Sequence, residues 1–540
     1  MDITAVKTEP YQDQVFGTSG LRRRISVFTQ KNYLQNVVQS IFDATEGFEG
    51  KTLIVGGDGR YFNDKAIQIV LKIAAANGVG RIIVGKKGWL STPALSHLIP
   101  LKEAFGGIIL TASHNPGGKE GDFGIKFNLS NGAPAQVSVT QKITKCAQKI
   151  NRFWWMDCPD IKLNNTGTRQ IGHTIVEVID PVVDYATYMQ QIFDFKAIRH
   201  LFQSGFKFTF DAMNAITGPY AKYIFEHLLG APSGTVTHAD PLPDFGGLHP
   251  DPNLVYAKHL VNKMAQEKAP DLGAASDGDG DRYMILGKNF FVDPSDSLAI
   301  LAEYLPTLPH YKDQFFGVAR SMPTSCAVDF VTKRKKLPLY TTPTGWKFFG
   351  NLLENKKITL CGEESFGAGS NHVMEKDGLW AVLAWLNIIA LTHKTPEQLV
   401  KELWKKDGRV YYMRHNYENV DAGDTRHLMD SLGSQVPTLA GQRFGRFTIK
   451  SAEIFSYVDP VTHERESNQG IIINLSNDAR VMVRLSGTGT VGATLRLYFS
   501  CHERNFDAQP AEVLAPLILA TTSVLQISKY LKVDTPTTVS

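Results

Sequence analysis

At 540 residues, 43% of them hydrophobic and 20% charged, the chain can build about three or four separate cores and is not a disordered or low-complexity protein. Its formal net charge of +4 is too dilute for a nucleic-acid surface, and the densest basic run, Lys333 to Lys336, reads as a solvated face. Five scattered cysteines (Cys146, Cys158, Cys326, Cys361 and Cys501) lack CxxC spacing, which argues against a disulfide or zinc framework and for reduced thiols in a cytoplasmic protein.

The N-terminal MDITAVKTEPYQDQ carries acids where a secretory signal needs a basic patch and an apolar core, so no export is expected. Three short apolar runs follow: TLIVGGDGR (Thr52 to Arg60), RIIVG (Arg81 to Gly85) and FGGIILTASHN (Phe105 to Asn115). Each ends in small or polar residues, and helix-length segments such as KAIQIVLKIAAANG separate them, which predicts a doubly wound sheet over 1–190. KFTFDAMNA (Lys207 to Ala215) and DLGAASDGDGDRYMILG (Asp271 to Gly287) predict a second such domain over 191–292. FFGVARSMPTS (Phe315 to Ser325) and ITLCGEESFG (Ile358 to Gly367) predict a third over 293–405. The apolar run from Gly378, GLWAVLAWLNIIAL, is broken by Asn387 and is shorter than the roughly 18 to 20 residues that cross a bilayer, so a buried helix and no membrane contact are expected. The last segment, 406–540, changes character. GIIINL, RVMVRL and ATLRLYF alternate apolar and polar residues across brief turns and precede the helical pattern APLILATTSVLQISKYL, an antiparallel α+β arrangement.

Four loops carry chemistry. In TASHNPGGKEG, from Thr111, Ser113 is either a helix cap or a nucleophile on a bent backbone. The GxSxG of α/β serine hydrolases is missing, and on an extended backbone the side chain of His114 would point away from it. There remains a serine able to carry a transferable group, with Lys126 available to hold its oxygen or move a proton. In DGDGDR, Asp277, Asp279 and Asp281 alternate with glycines and can converge on a hard cation such as Mg²⁺. An EF-hand would require Gly and Glu where Arg282 and Lys288 stand, and three acids in so short a stretch exceed what a surface Asp-Gly hairpin needs.

GEESFG places Glu363, Glu364 and Ser365 at the carboxyl end of a buried strand, where paired carboxylates beside a hydroxyl could hold vicinal sugar hydroxyls. RLSGTGTVGATLRLY gathers Ser486, Gly487, Thr488 and Gly489 into a turn with the make-up of an anion nest. A hairpin closing symmetrically around that turn would bring Arg484 and Arg496 onto one face as a phosphate pincer.

Taken in order, FGTSGLRRR at Phe16, TASHNPGG, DGDGDR, PTGWKFF at Pro343, GEESFG, EKDGLWAVLAWL at Glu375 and RLSGTGT resemble the α-D-phosphohexomutase superfamily, specifically its phosphoglucomutase branch. The resemblance spans essentially the whole chain. It implies three α/β domains and a C-terminal α+β domain around a central cleft. It implies that Ser113 is the phosphoserine, that Asp277, Asp279 and Asp281 with an oxygen on Ser113 hold one Mg²⁺, and that His114, Lys126, Arg22 and Lys376 serve catalysis. Glu363 and Ser365 would touch sugar hydroxyls, Thr344 and Gly345 match a sugar-specificity loop, and Ser19, Arg282 and Lys376 match positions near the transferring phosphate. Arg484, Ser486, Gly487, Thr488 and Arg496 would form the distal phosphate site. Met374 and Leu248 depart from the pattern, standing where arginine and histidine are common in the branch.

The activity this implies is an intramolecular phosphotransferase that interconverts glucose 1-phosphate and glucose 6-phosphate, with glucose 1,6-bisphosphate as intermediate and activator. A phosphomannomutase or dual-specificity enzyme is the runner-up, and a structural or interaction protein of weak activity is a third reading. The expected partner is a small sugar phosphate, with no nucleic acid or membrane; a monomer is expected, with a dimer as the other possibility. Turning the bisphosphate round predicts a mobile fourth domain.

Overall fold

The computed structural model describes residues 2–17, 19–486 and 493–540. Its contacts divide into two compact units, one drawn from Met1–Pro294, Tyr304–Phe316 and Gly345–Glu397, the other from Ser295–Glu303, Gly317–Thr344 and Gln398–Ser540.

The first unit opens with a seven-stranded sheet in the order Leu21–Arg24, Asp122–Leu129, Gly106–Leu110, Thr52–Gly57, Arg81–Trp89, Thr174–Ile179, Gly167–Ile171. The four central strands run parallel, and the flanking strands pair antiparallel on both sides. Gly-Gly-Ile-Ile-Leu at 106–110 is buried throughout, as a strand covered on both faces must be. Helix Asn63–Ala76 covers this sheet through Ala66, Ile67, Val70, Leu71 and Ala74, the spacing of one helical face. Leu71 is fully buried, so its truncation to alanine would cost about 2–5 kcal/mol.

A second, five-stranded sheet in the same unit has the order Val236–Thr237, Phe208–Asp211, Leu272–Ser276, Tyr283–Gly287, Phe290–Val292. Phe208–Asp211 is parallel to both its neighbours, whereas Leu272–Ser276 turns back antiparallel into Tyr283–Gly287. DGDGDR is the turn of that hairpin, and it is buried where a surface Asp-Gly hairpin would be solvated. Leu360–Glu363 and Gly367–Ser370 form another antiparallel pair. Helix Gly378–Thr392 is buried along nearly its whole length, begins at an Asp377 cap that accepts the Trp380 amide at 3.0 Å, and ends at a left-handed His393. Among the described residues, no helix is long and apolar enough to cross a membrane.

In the second unit, Val318–Ser321 pairs parallel with Leu339–Thr342. The C-terminal segment forms a seven-stranded sheet whose strands Phe447–Ile454, Ile471–Leu475, Ala479–Ser486, Ala493–Glu503 and Arg409–Val420 are neighbours in that order, each pair antiparallel. Its apolar face packs under Leu514 and Leu517 of helix Pro510–Val524. The single helix expected after Ala515 is two, because Gln526 takes a left-handed φ of 50° and separates Pro510–Val524 from Ile527–Leu531.

Candidate active site

The parallel strand Gly106–Leu110 delivers Thr111 and Ser113 to its carboxyl end, where such sheets place ligands. Ser113 adopts φ 52°, a left-handed conformation that costs a non-glycine residue about 1–2 kcal/mol. The reason it persists lies in its neighbours. Thr111 Oγ1 accepts the Ser113 amide at 2.7 Å and donates to Asp58 Oδ2 at 2.6 Å. Arg60 Nη2 donates to the Ser113 carbonyl at 2.6 Å and Nη1 to the Asp122 carbonyl at 3.0 Å, while Asp58 pairs with Arg60 at 2.9 Å. At about 0.5–1.5 kcal/mol for a neutral bond and more for a charged one, these bonds outweigh the strain.

The left-handed turn also corrects the reading that the two neighbouring side chains diverge. Ser113 Oγ lies 3.3 Å from His114 Nδ1, since a backbone bent at Ser113 no longer alternates its side chains. Burial, then the cations Arg282 and Arg22, push His114 well below the usual histidine range, so its ring is neutral.

Facing the serine is the acidic turn. Asp277, Asp279 and Asp281 are buried, and each brings a carboxylate oxygen within 4.8 Å of the others. Ser113 Oγ donates to Asp277 Oδ2 at 2.9 Å. Burial and the like charges of Asp281 and Asp279 push the Asp277 carboxyl well up. Burial acts the same way on Asp279, but Lys126, the 2.6 Å bond from Thr92 and the charges of Lys376 and Arg22 outweigh it and bring that group to about 2. Oδ1 of Asp279 and Oδ1 of Asp281 are buried without a hydrogen-bond partner, each costing about 1–3 kcal/mol as it stands. Hard, anionic, unsatisfied oxygens converging on one point fit a divalent cation such as Mg²⁺.

Cations close the site. Lys126 Nζ lies 3.7 Å from Asp279 and 3.8 Å from Glu375, and Lys376 Nζ lies 3.4 Å from Asp281 and 4.0 Å from Glu363. Arg22, on the strand paired to Asp122–Leu129, feels the charges of Asp279 and Asp281. Arg282 gives its amide to Asp277 at 3.0 Å, and its guanidinium forms an ion pair with Asp251 at 3.5 Å. Glu363 ends its strand and accepts the Gly345 amide at 3.3 Å, while Ser365 is half-buried in the following turn. Ser19 sits exposed on the turn between the bridged Gly17 and Gly20, just before Arg22. The main-chain groups of Met374 are engaged by Ser96 and Trp346.

Within the second unit, the Thr344 hydroxyl is buried without a partner just beyond strand Leu339–Thr342. Arg484 and Arg496 are directly opposite in the hairpin register, which puts them on one face as expected, and Ser486 ends its strand opposite Thr494. Gly487 and Thr488 lie outside the described residues.

Sequence reasoning missed Asp58, Arg60, Thr92, Thr111, Asn128 and Glu375. The GDGR at the end of the first buried strand was the available signal for the first two: a strand terminus rich in charge and glycine at the functional edge of a sheet.

Models of the phosphoglucomutase/phosphomannomutase family match the chain domain by domain: α/β/α domain I over residues 13–153, domain II over 183–289 and domain III over 293–406. A model of the phosphoglucomutase-1 C-terminal domain matches residues 409–537. A phosphoglucomutase of Rhizobium radiobacter is 51% identical over 541 residues, and human phosphoglucomutase-1 is 46% identical over 562, each alignment covering 100% of both chains. Among solved structures, the open form of parafusin, the exocytosis-sensitive phosphoprotein and phosphoglucomutase of Paramecium, superimposes with a TM-score of 0.92 at 44% identity, covering 100% of this chain and 99% of that one. The architecture is thus four-domain, with mixed α/β domains followed by one built on an antiparallel sheet. With identity of this size sustained from the serine loop to the last helix, the chain belongs to the phosphoglucomutase/phosphomannomutase family.

Proposed function

We propose that the chain interconverts α-D-glucose 1-phosphate and glucose 6-phosphate through a phosphoserine at Ser113 and a glucose 1,6-bisphosphate intermediate. The observation that carries this reading is Ser113 itself, locked in a left-handed turn with its hydroxyl 2.9 Å from one carboxylate of a buried acidic triad. The serine faces a buried acidic triad suited to a cation, and a cation there suits a phosphoryl group carried on the serine.

In the first half-reaction a sugar hydroxyl oxygen bonds to phosphorus as the bond from phosphorus to Ser113 Oγ breaks, and the proton lost by the sugar replaces phosphorus on the serine. In the second, Ser113 Oγ bonds to the other phosphorus as the bond from that phosphorus to the sugar oxygen breaks, and the serine's proton passes through a neighbouring base to the released sugar oxygen. His114 Nδ1, kept uncharged by burial and 3.3 Å from Ser113 Oγ, can be that base. Lys126, Lys376, Arg22 and Arg282 offset the charge of the transferring group. Mg²⁺, one per chain and held by Asp277, Asp279 and Asp281 with an oxygen on Ser113, would supply the remaining counter-charge and polarise the phosphoryl oxygens.

One serine serving both ends of the sugar requires that the intermediate turn round, and hence a second phosphate clamp. Arg484, Ser486, Gly487, Thr488 and Arg496 take that role in this reading, with Glu363, Ser365, Thr344 and Gly345 holding the sugar hydroxyls. The names of the 46–51% identical relatives favour glucose over mannose. The enzyme is read as a cytoplasmic monomer, activated by glucose 1,6-bisphosphate.

Intact-protein mass spectrometry tests the core of this. A mass increase of one phosphoryl group, mapped to the Ser113 peptide and discharged by glucose monophosphate, is expected; label that never leaves or enters that peptide overturns it. A kcat/KM for mannose 1-phosphate above that for glucose 1-phosphate would overturn the sugar assignment.

A further inference from the structure

Beneath the segment that presents Glu375 and Lys376 lies a buried polar chain that the proposed chemistry does not use. Ser370, His372 and Asp377 are hydrogen-bonded in series: Ser370 Oγ to His372 Nδ1 at 2.8 Å, and His372 Nε2 to Asp377 Oδ2 at 3.0 Å. The order mimics a nucleophilic triad, but the His372 and Asp377 side chains are fully buried, and Ser370 is engaged by Tyr311 at 2.9 Å, so no substrate reaches it.

The chain has a direction. Trp380 Nε1 can only donate, and does so to Tyr311 Oη at 2.8 Å. The carboxylate of Asp377 at the far end only accepts. From Trp380 the chain runs through Tyr311 and Ser370 to His372, whose Nδ1 faces Ser370 and whose Nε2 faces Asp377. Tyr185 Oη adds bonds of 2.7 Å to each oxygen of Asp377, and the Trp380 amide adds one of 3.0 Å. Both oxygens of the Asp377 carboxylate are hydrogen-bonded.

Its neighbours in sequence point into the site. Glu375 accepts from Asn128 at 2.9 Å and faces Lys126; Lys376 faces Asp281 and Glu363. The next residue, Gly378, gives its amide to the Gly280 carbonyl at 3.0 Å, and a Cβ there would stand 2.3 Å from the Arg282 carbonyl, so the helix start is pressed onto the acidic turn. We infer that His372, acting through Asp377, is a positioning residue that sets where Lys376 stands relative to the acidic triad and the transferring phosphoryl group. This rests on the phosphoryl-transfer reading above.

The test is a double-mutant cycle on the full-length chain, measured as mutase kcat and KM with glucose 1-phosphate. His372→Ala should lower kcat at least tenfold while changing KM less than threefold, and His372→Gln, whose amide N–H can replace Nε2–H, should recover most of the loss. Combined with Lys376→Met, His372→Ala should cost no more than Lys376→Met alone, since the histidine then has nothing left to position. Multiplying losses in the cycle, or full activity in His372→Ala, overturns the inference. Should His372→Ala not fold, Tyr185→Phe, which removes the other side-chain donor to Asp377, runs the same cycle: a loss absorbed by Lys376→Met supports the inference, and multiplying losses or full activity overturn it. Failure of the underlying function is a separate result: the unaltered chain would show no mutase activity at all.

Discussion

The serine loop and the acidic turn meet at one point and are finished to opposite degrees. Around Ser113 the strained main chain is held by partners on several sides: its amide by Thr111, its carbonyl by Arg60, and those two by Asp58. On Asp279 and Asp281, one buried carboxylate oxygen each has no hydrogen-bond partner. On the proposed mechanism the serine is a nucleophile that must be in position before its substrate arrives, and its strain is compensated within the fold. On the same mechanism the acidic turn is a counter-charge site that must keep ligand positions free, its desolvation left to be met by a cation.

The sharpest way to break this contrast is at the shared atom. Ser113→Ala should lower mutase activity by at least about 10⁴-fold, because on the proposed mechanism it deletes the group that carries phosphorus while leaving the loop bonds in place. A coupled assay from glucose 1-phosphate to glucose 6-phosphate reads it, and activity within tenfold of the parent would remove the serine from the reaction.

Asp279→Asn comes next, with an expected loss of about 10²–10³-fold in kcat. It should also flatten the rise in Tm on titrating Mg²⁺, which in the parent follows from a ligand that binds the folded chain alone. An unchanged Mg²⁺ dependence of Tm would place the cation elsewhere.

On the serine side, Arg60→Met leaves Asp58 as an uncompensated buried charge and the Ser113 carbonyl unpaired, so stability should fall by about 3–5 kcal/mol in denaturant unfolding. Asp58→Asn combined with Arg60→Met should recover part of that loss. Thr111→Val should lower kcat by about tenfold with no effect on Mg²⁺-dependent Tm, which separates loop geometry from cation affinity.

The smallest effect concerns pH. Burial pushes His97 down to about 4 and, with Arg282 and Arg22, holds His114 well below its ordinary 6.5. A depressed histidine pKa means that the unfolded chain takes up protons first as pH falls. Stability from these groups is therefore complete above about pH 6.5 and declines below it by about 1.4 kcal/mol per pH unit for each. His97→Phe should flatten that acid branch in a pH series of chemical denaturation; an unchanged slope would exclude His97 as its source.

Sequence alone carried the elements whose chemistry is local. Three acids spaced by glycines can hardly do anything but converge, and the apolar runs ending in small residues are parallel strands. Arg484 and Arg496 stand opposite each other in the register of their two strands. What stayed hidden was set by tertiary contact. Nothing in TASHN dictates a left-handed serine; that conformation is held by Asp58 and Arg60 from the loop after strand Thr52–Gly57, far earlier in the chain. Glu375 and Asn128 likewise acquire their roles only by meeting across a long separation. The break at Gln526 has no glycine or proline to announce it.

Gly278 illustrates how little space separates the two loops: a Cβ on it would stand 2.4 Å from the Ser113 carbonyl oxygen. Serine carrier and acidic turn therefore meet backbone to backbone. Saturation mutagenesis of this codon should return glycine alone among functional clones, whereas exposed Lys288, in the next turn of the same sheet, tolerates broad replacement.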